Sequence, residues 1–134
     1  MFHLKTRILV VDDFASMREL MKQSFNQLGF ADVLEAPDGN VAWNALKQIT
    51  PPIRLILSDW NMPSCTGIEL LRKVRAEARY AHLPFIIATT ESEKGNVLEA
   101  VKEGVTDFIV KPFDSASLKT KLESAHRRLS QMPG

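Results

Sequence analysis

Residues 8–29 read ILVVDDFASMRELMKQSFNQLG, and this stretch decides the fold. Residues 8–11 are apolar without alternation, as in a strand that is buried on both faces of a sheet. Later apolar residues recur every three or four positions, which is the period of a helix packed along one face; they are Met17, Leu20, Met21, Phe25 and Leu28. Gly29 ends this helix. The stretch therefore predicts a buried strand followed by an amphipathic helix.

The same alternation continues along the chain. Doubly buried strands are predicted at residues 55–57, 85–88 and 108–110, and a weaker edge strand at residues 32–36. The helical periods between and after them are carried by Ala42, Ala45, Leu46 and Ile49, by Ile68, Leu71 and Val74, by Val97, Ala100 and Val101, and by Leu118, Leu122, Ala125 and Leu129. Strict alternation of strands and helices predicts an α/β fold, a five-stranded doubly wound parallel sheet with five helices on its two faces.

Length and composition set limits on the class of protein. A chain of 134 residues fits one domain, so we expect residues 1–134 to form a single domain with a core from about residue 5 to 129 and a short polar tail. Its 17 basic and 16 acidic side chains are too balanced for a nucleic-acid surface. Cys65 is the only cysteine, which fits a cytoplasmic protein. No apolar run is long enough to span a membrane.

Functional side chains follow four of the predicted strands at the point where each strand ends. They are Asp12 and Asp13, Asp59, Thr89 and Thr90, and Lys111. Because the carboxyl ends of parallel strands meet at one edge, we expect these groups to lie together. Two like charges about 4 Å apart repel by roughly 4 kcal/mol at an effective dielectric near 20, so the carboxylates require a cation. Hard oxygen ligands in this number suit Mg²⁺.

Each of these residues also has a simpler structural explanation when taken alone. An aspartate at a strand end commonly caps the next helix. A threonine is a good strand former, and a lysine is usually a solvated surface charge. These alternatives stay open for the single residues. The occurrence of such groups at four strand ends together favours a functional site that supports Mg²⁺-assisted phosphoryl transfer.

Four motifs at the strand ends resemble the signature of two-component receiver domains. They are Val10-Val11-Asp12-Asp13-Phe14, Asp59-Trp60-Asn61-Met62-Pro63, Thr89-Thr90-Glu91 and Val110-Lys111-Pro112-Phe113. The resemblance extends from about Lys5 to Leu129 and, within the family, is greatest to chemotaxis regulators of the CheY type. It implies a flavodoxin-like fold and a stand-alone response regulator that signals when phosphorylated.

The resemblance also implies roles for individual residues. Asp59 would be the phosphoacceptor, and Asp12, Asp13, Asp59 and the carbonyl of Asn61 would bind Mg²⁺. Thr89 would supply the switch hydroxyl, Lys111 would contact the phosphoryl group, and Phe108 would be the switching aromatic. The chain would be a monomeric phosphoacceptor that assists its own phosphorylation and dephosphorylation, and not an enzyme. The implied partners are a chemotaxis-type histidine kinase, a flagellar motor switch protein or a phosphotransfer protein, and a phosphatase.

Two positions depart from the family pattern. Phe108 stands where a tyrosine is usual, so the hydroxyl of the switching aromatic is missing. Thr90 stands where alanine is common. Its branched side chain is predicted to narrow the access of water to an acyl phosphate and to slow its hydrolysis.

Three other functions are alternatives to this one. A phosphorelay intermediate that passes its phosphoryl group to a histidine phosphotransfer protein has the same fold. A phosphatase of the haloacid dehalogenase type needs a second aspartate two residues after the nucleophile, where this chain has Asn61. A dinucleotide binder needs a glycine-rich turn after the first strand, where this chain has Asp12 and Asp13.

Overall fold

The structure, a computed structural model, describes residues 2–62, 64–90 and 97–130. Pro63 and Glu91 of the sequence motifs lie outside the described residues, as does the tail predicted from about Ser130, apart from Ser130 itself. Along the described part of the chain, five strands alternate with five α-helices. They are β1 (Ile8–Val11), α1 (Ala15–Gln27), β2 (Val33–Ala36), α2 (Gly39–Gln48), β3 (Leu55–Asp59), α3 (Gly67–Ala76), β4 (Phe85–Thr89), α4 (Val97–Lys102), β5 (Asp107–Val110) and α5 (Ser115–Ser130).

The strands form one parallel sheet in the order β2-β1-β3-β4-β5. The predicted doubly wound fold is therefore confirmed, with β2 at an edge as expected. The register brings the carboxyl ends of the strands level with one another: Val11 pairs with Ser58, Asp59 pairs with Ala88, and Thr89 pairs with Val110. The residues that follow these strands are consequently gathered at one edge of the sheet.

Side chains alternate between two buried clusters, one on each face of the sheet. The first contains Ile8 and Val10 of β1 with Met21 and Phe25 of α1 and Leu118 and Leu122 of α5. The second contains Leu9 and Val11 of β1 with Leu46 of α2, Leu71 of α3 and Ala100 of α4. Helices α1 and α5 thus cover one face, and α2, α3 and α4 cover the other. This two-sided burial explains why β1 has a continuous apolar sequence.

Some apolar residues are less buried than their periodicity predicts. Leu20 of α1 is 56% exposed and Val101 of α4 is 57% exposed. Leu20 lies about 100° round the helix from Met21, at the margin of a stripe centred on Met21 and Phe25. In β5, Phe108 and Val110 are only half-buried, because β5 is an edge strand and not a central one.

No helix among the described residues combines the length and the apolar character needed to cross a bilayer.

Candidate functional site

Three carboxylates meet at the carboxyl edge of the sheet. Asp12 and Asp13 follow β1 and Asp59 ends β3, and each offers one carboxylate oxygen to a group whose members all lie within 4.8 Å of one another. Asp12 is fully buried, Asp59 is nearly so, and Asp13 is exposed. Oxygen ligands in this number, open to water on one side, fit a hard divalent cation such as Mg²⁺.

Lys111 supplies a positive charge to the same group. Its Nζ donates to Oδ1 of Asp59 at 2.8 Å and to Oδ2 of Asp12 at 3.0 Å. The backbone amide of Lys111 also donates to the carbonyl of Thr89 at 2.7 Å, which fixes the end of β5 beside the end of β4. The side chain is only 13% exposed, so these ion pairs are shielded from water.

The two carboxylate oxygens of Asp59 have different surroundings. Oδ1 accepts hydrogen bonds from the Trp60 amide at 2.9 Å and from Lys111. No described donor bonds to Oδ2. Because every buried side-chain oxygen or nitrogen of the described residues has a hydrogen-bond partner, Oδ2 must reach the surface. Asp59 is therefore held through one oxygen and presents the other.

Burial and charge act in opposite directions on this cluster. Burial is the largest influence on Asp59 and raises the pKa of its carboxyl group; Lys111 lowers that pKa and the charge of Asp12 raises it again, with a net increase. Burial alone would lower the pKa of Lys111, but its hydrogen bonds to Asp59 and Asp12 outweigh this, so the pKa of Lys111 is raised. The ammonium group is thus held charged between the two carboxylates.

The remaining predicted residues lie on β4, on β5 and in the loop after β3. Thr89 ends β4 and is 2% exposed, and its hydroxyl donates to the carbonyl of Thr90 at 3.3 Å. Phe108 lies in β5, half-buried against the core cluster that α2, α3 and α4 cover. Asn61 is exposed in the loop two residues after Asp59. The structure thus brings Asp12, Asp13, Asp59 and Lys111 into direct proximity and places Thr89 on the adjoining strand.

The capping explanation for Asp12 and Asp13 is not what the structure shows. The residue that caps α1 is Phe14, which makes no side-chain capping bond. Asp12 instead accepts a hydrogen bond from the Phe14 amide at 2.9 Å, and its carbonyl accepts one from Arg18 at 2.8 Å. Asp12 is therefore fixed in the turn by its neighbours. Arg18, which also pairs with Glu35, is a supporting residue that the sequence pattern did not reveal.

Gly67 is a second residue that sequence reasoning missed. It begins α3, and its amide donates to the Trp60 carbonyl at 3.0 Å. A Cβ atom at this position would lie 2.3 Å from the carbonyl oxygen of Asp59. Only glycine therefore lets α3 start this close to the strand end that carries Asp59. No pattern in a single sequence distinguishes this glycine from one in an ordinary turn.

A doubly wound parallel sheet with carboxylates and a lysine at the carboxyl ends of its strands defines an α/β protein whose ligand or ion site lies at that edge. Residues 8–123 match the family model for the response regulator receiver domain. The chain therefore belongs to the response regulator receiver family, as its motifs predict.

Individual relatives agree with this assignment. The chain is 46% identical over 117 residues to a chemotaxis protein CheY homolog of Campylobacter jejuni, covering 87% of this chain and 89% of the relative. It is 41% identical to the chemotaxis protein CheY of Pseudomonas aeruginosa, covering 92% and 98%. Among solved structures, the chemotaxis response regulator CheY4 of Vibrio cholerae superimposes with a TM-score of 0.81 at 30% identity, covering 90% of this chain and 98% of that one.

Proposed function

We propose that this chain is a stand-alone response regulator that accepts a phosphoryl group on Asp59 from a histidine kinase and signals by phosphorylation-dependent protein binding. In this proposal, Asp12, Asp13, Asp59 and the carbonyl of Asn61 hold Mg²⁺. The output is control of the flagellar motor switch. The observation that carries the proposal is the Lys111 ammonium group, 2.8 Å from Asp59 and 3.0 Å from Asp12.

The surroundings of Asp59 suit a nucleophile. Oδ1 is held by Trp60 and Lys111, which leaves Oδ2 facing an incoming phosphorus atom. Oδ2 attacks, an O–P bond forms, and the P–N bond of the phosphohistidine breaks. The ring nitrogen of the histidine keeps that electron pair and takes up a proton. The product on this chain is an acyl phosphate.

Charge neutralisation accounts for the other groups at the site. Phosphoryl transfer depends mainly on positioning and on compensation of the charge on the phosphoryl oxygens. Hydrogen bonds to two carboxylates raise the pKa of Lys111 and keep it charged. Lys111 can therefore supply part of the positive charge that the phosphoryl oxygens require. Mg²⁺, when bound, supplies the rest. Asp12 and Asp13 serve as its ligands and do not take part in bond making.

The signal follows from the negative charge that the phosphoryl group adds. That group carries about −1.5 to −2 charge and strong acceptor oxygens. The hydroxyl of Thr89 donates at present to a carbonyl at 3.3 Å, which is long for a bond between oxygens. It can therefore exchange this bond for one to the phosphoryl group. Phe108, half-buried on the neighbouring strand, would then change its position and alter the surface that a partner recognises.

Two considerations support an output in chemotaxis. The relatives from Campylobacter jejuni and Pseudomonas aeruginosa are named as CheY proteins and match along most of their length. The chemotaxis response regulator CheY4 of Vibrio cholerae is likewise matched over 98% of its length. In this proposal, the signal is read by a separate protein that binds the phosphorylated chain.

Phosphorylation tests the first half of the proposal. The chain is incubated with acetyl phosphate in Mg²⁺ or in chelator, and the acyl phosphate is measured by intact-mass spectrometry. We expect one phosphoryl group in Mg²⁺, none in chelator, and none in an Asp59→Asn variant. Phosphorylation of that variant to the level of the parent would refute Asp59 as the acceptor.

Partner binding tests the second half. The phosphorylated chain is presented to a purified motor switch protein and to a purified histidine phosphotransfer domain. We expect phosphorylation to tighten binding to the motor switch protein and no transfer of the phosphoryl group to the other. Rapid transfer to the phosphotransfer domain, without binding to the switch protein, would replace motor control by a relay role.

A further inference from the structure

The edge of the sheet opposite the acidic site carries two adjoining cavities. The larger, about 550 Å³, lies between the end of α2 and the segments that lead into β3 and β4. The smaller, about 380 Å³, lies between the end of α3, the segment that leads into β5 and the end of α5. His82 lines both, so the two cavities adjoin at this residue. We call the pair the basal groove.

The charge of the basal groove is strongly unbalanced. Cationic side chains line both cavities: Lys47, Arg54 and Arg79 the larger, Arg75 and Arg128 the smaller. None of the residues that line either cavity is acidic. Within the described part of the chain, these five cations form no ion pair, whereas arginines elsewhere, such as Arg7 and Arg72, do. The groove therefore carries positive charge that no ion pair among the described residues offsets.

Arg75 is a partly buried cation of the groove whose hydrogen-bond partners among the described residues are all uncharged. Its guanidinium group donates to the carbonyls of Gly104, Tyr80 and Leu83 and to the hydroxyl of Thr106, all of which are neutral. Burial lowers the pKa of Arg75 to about 10, because removal from water disfavours its charged form. An anion in the smaller cavity would offset the free-energy cost of burying this charged guanidinium group.

The larger cavity combines its cationic rim with an apolar interior. Ile53 and Leu46 line it and are almost fully buried. Arg79 lies over the ring of Tyr80, which is itself in edge contact with Trp43, and Lys47 lies over the ring of Trp43. These aromatic contacts hold two cations at the rim. A cavity of this kind suits an apolar side chain that is flanked by carboxylates.

We propose that the basal groove binds an acidic peptide segment of a partner protein, with an apolar side chain in the larger cavity and carboxylates on the surrounding cations. A peptide fits better than a single small anion because the cations are spread over both cavities. The groove lies at the opposite end of the strands from Asp59. A partner bound there leaves the acidic site accessible, so this chain can hold one protein at its base while it exchanges a phosphoryl group at its other edge.

Fluorescence anisotropy with a defined probe tests this proposal. The probe is a dye-labelled peptide in which leucine alternates with aspartate and glutamate, and its control has asparagine and glutamine instead. Binding is measured in chelator, without a phosphoryl donor, on the parent and on Asp59→Asn. We expect both proteins to bind the acidic probe equally and the control weakly. The assay is thus independent of phosphorylation, and its failure would leave the proposed function untouched.

Charge reversal at the rim identifies the site. Arg54 and Arg79 are exposed, so Arg54→Glu/Arg79→Glu should fold normally, which circular dichroism checks. We expect this variant to bind the acidic peptide about tenfold more weakly. Lys102→Glu/Lys119→Glu changes the net charge equally at exposed positions outside both cavities and should bind like the parent.

Three results would overturn the proposal. The first is an equal loss of affinity in the two charge-reversed variants, which would reduce the effect to net charge. The second is equal binding of the uncharged control peptide. The third is tighter binding of single-stranded oligothymidylate than of the acidic peptide, which would indicate a nucleic-acid surface.

Discussion

Removing the positive charge of Lys111 should leave two buried carboxylates without compensation. The ammonium group lies 2.8 Å from Asp59 and 3.0 Å from Asp12. At an effective dielectric near 20, each attraction amounts to roughly 6 kcal/mol, and the two carboxylates repel each other by at least about 3 kcal/mol. Desolvation of the three groups offsets most of the attraction. Loss of one member of a buried charge cluster typically costs about 3 kcal/mol or more.

We therefore expect Lys111→Met to lower the free energy of unfolding by about 3 kcal/mol in chelator. The assay is urea denaturation followed by circular dichroism, in which this loss moves the midpoint by about 1.5 M. In saturating Mg²⁺ the loss should fall to less than half, because the metal ion replaces the missing positive charge between the same carboxylates.

Two controls accompany this measurement. Lys119→Met removes an exposed lysine from α5 and should change stability by no more than about 0.5 kcal/mol. Asp12→Asn/Lys111→Met also removes one of the two carboxylates that Lys111→Met leaves without a cation. It should therefore be more stable in chelator than Lys111→Met alone. A loss of less than about 1 kcal/mol in Lys111→Met, or an equal loss in Mg²⁺ and in chelator, would show that Lys111 does not compensate the two carboxylates.

Three further outcomes are expected. Mg²⁺ should quench the emission of Trp60, whose amide is bonded to Asp59; in a Trp43→Phe variant, where Trp60 is the one remaining tryptophan, unchanged emission would contradict the metal site. Phe108→Ala should leave phosphorylation of Asp59 intact but weaken the gain in partner affinity, since the ring contributes roughly 2 kcal/mol of apolar burial when it moves inward; calorimetric affinities equal to those of the parent, with and without phosphorylation, would exclude a switching role. Gly67→Ala should destabilise the fold by about 2 kcal/mol and slow phosphorylation, because its Cβ would lie 2.3 Å from the Asp59 carbonyl oxygen; parental stability in urea and a parental phosphorylation rate would show that α3 can shift freely.

The fold could be predicted because its local signals agree with one another. Residues 8–11 are apolar at every position, and the structure buries β1 on both faces as that pattern requires. The strand ends could be located for the same reason. Asp12 follows β1 directly, and Asp59 is the last residue of β3. Parallel pairing then gathers them at one edge without any further information.

What the sequence could not supply depends on contacts between distant segments. The exposure of Leu20 depends on how α1 is rotated against the sheet, which its period of 3.6 does not specify to within one residue. The need for glycine at position 67 depends on where the Asp59 carbonyl lies. The different surroundings of the two Asp59 oxygens depend on Lys111, which is 52 positions away in the chain.

The hydrogen bond between Lys111 and Asp12 joins residues that are 99 positions apart. A nascent chain therefore cannot complete this cluster until Lys111 has left the ribosome, after all five strands of the sheet have been synthesised. A fragment that ends before β5 carries all three aspartates but lacks the ammonium group between them. An unfinished chain therefore lacks the cation that offsets the charges of Asp12 and Asp59 in the complete protein.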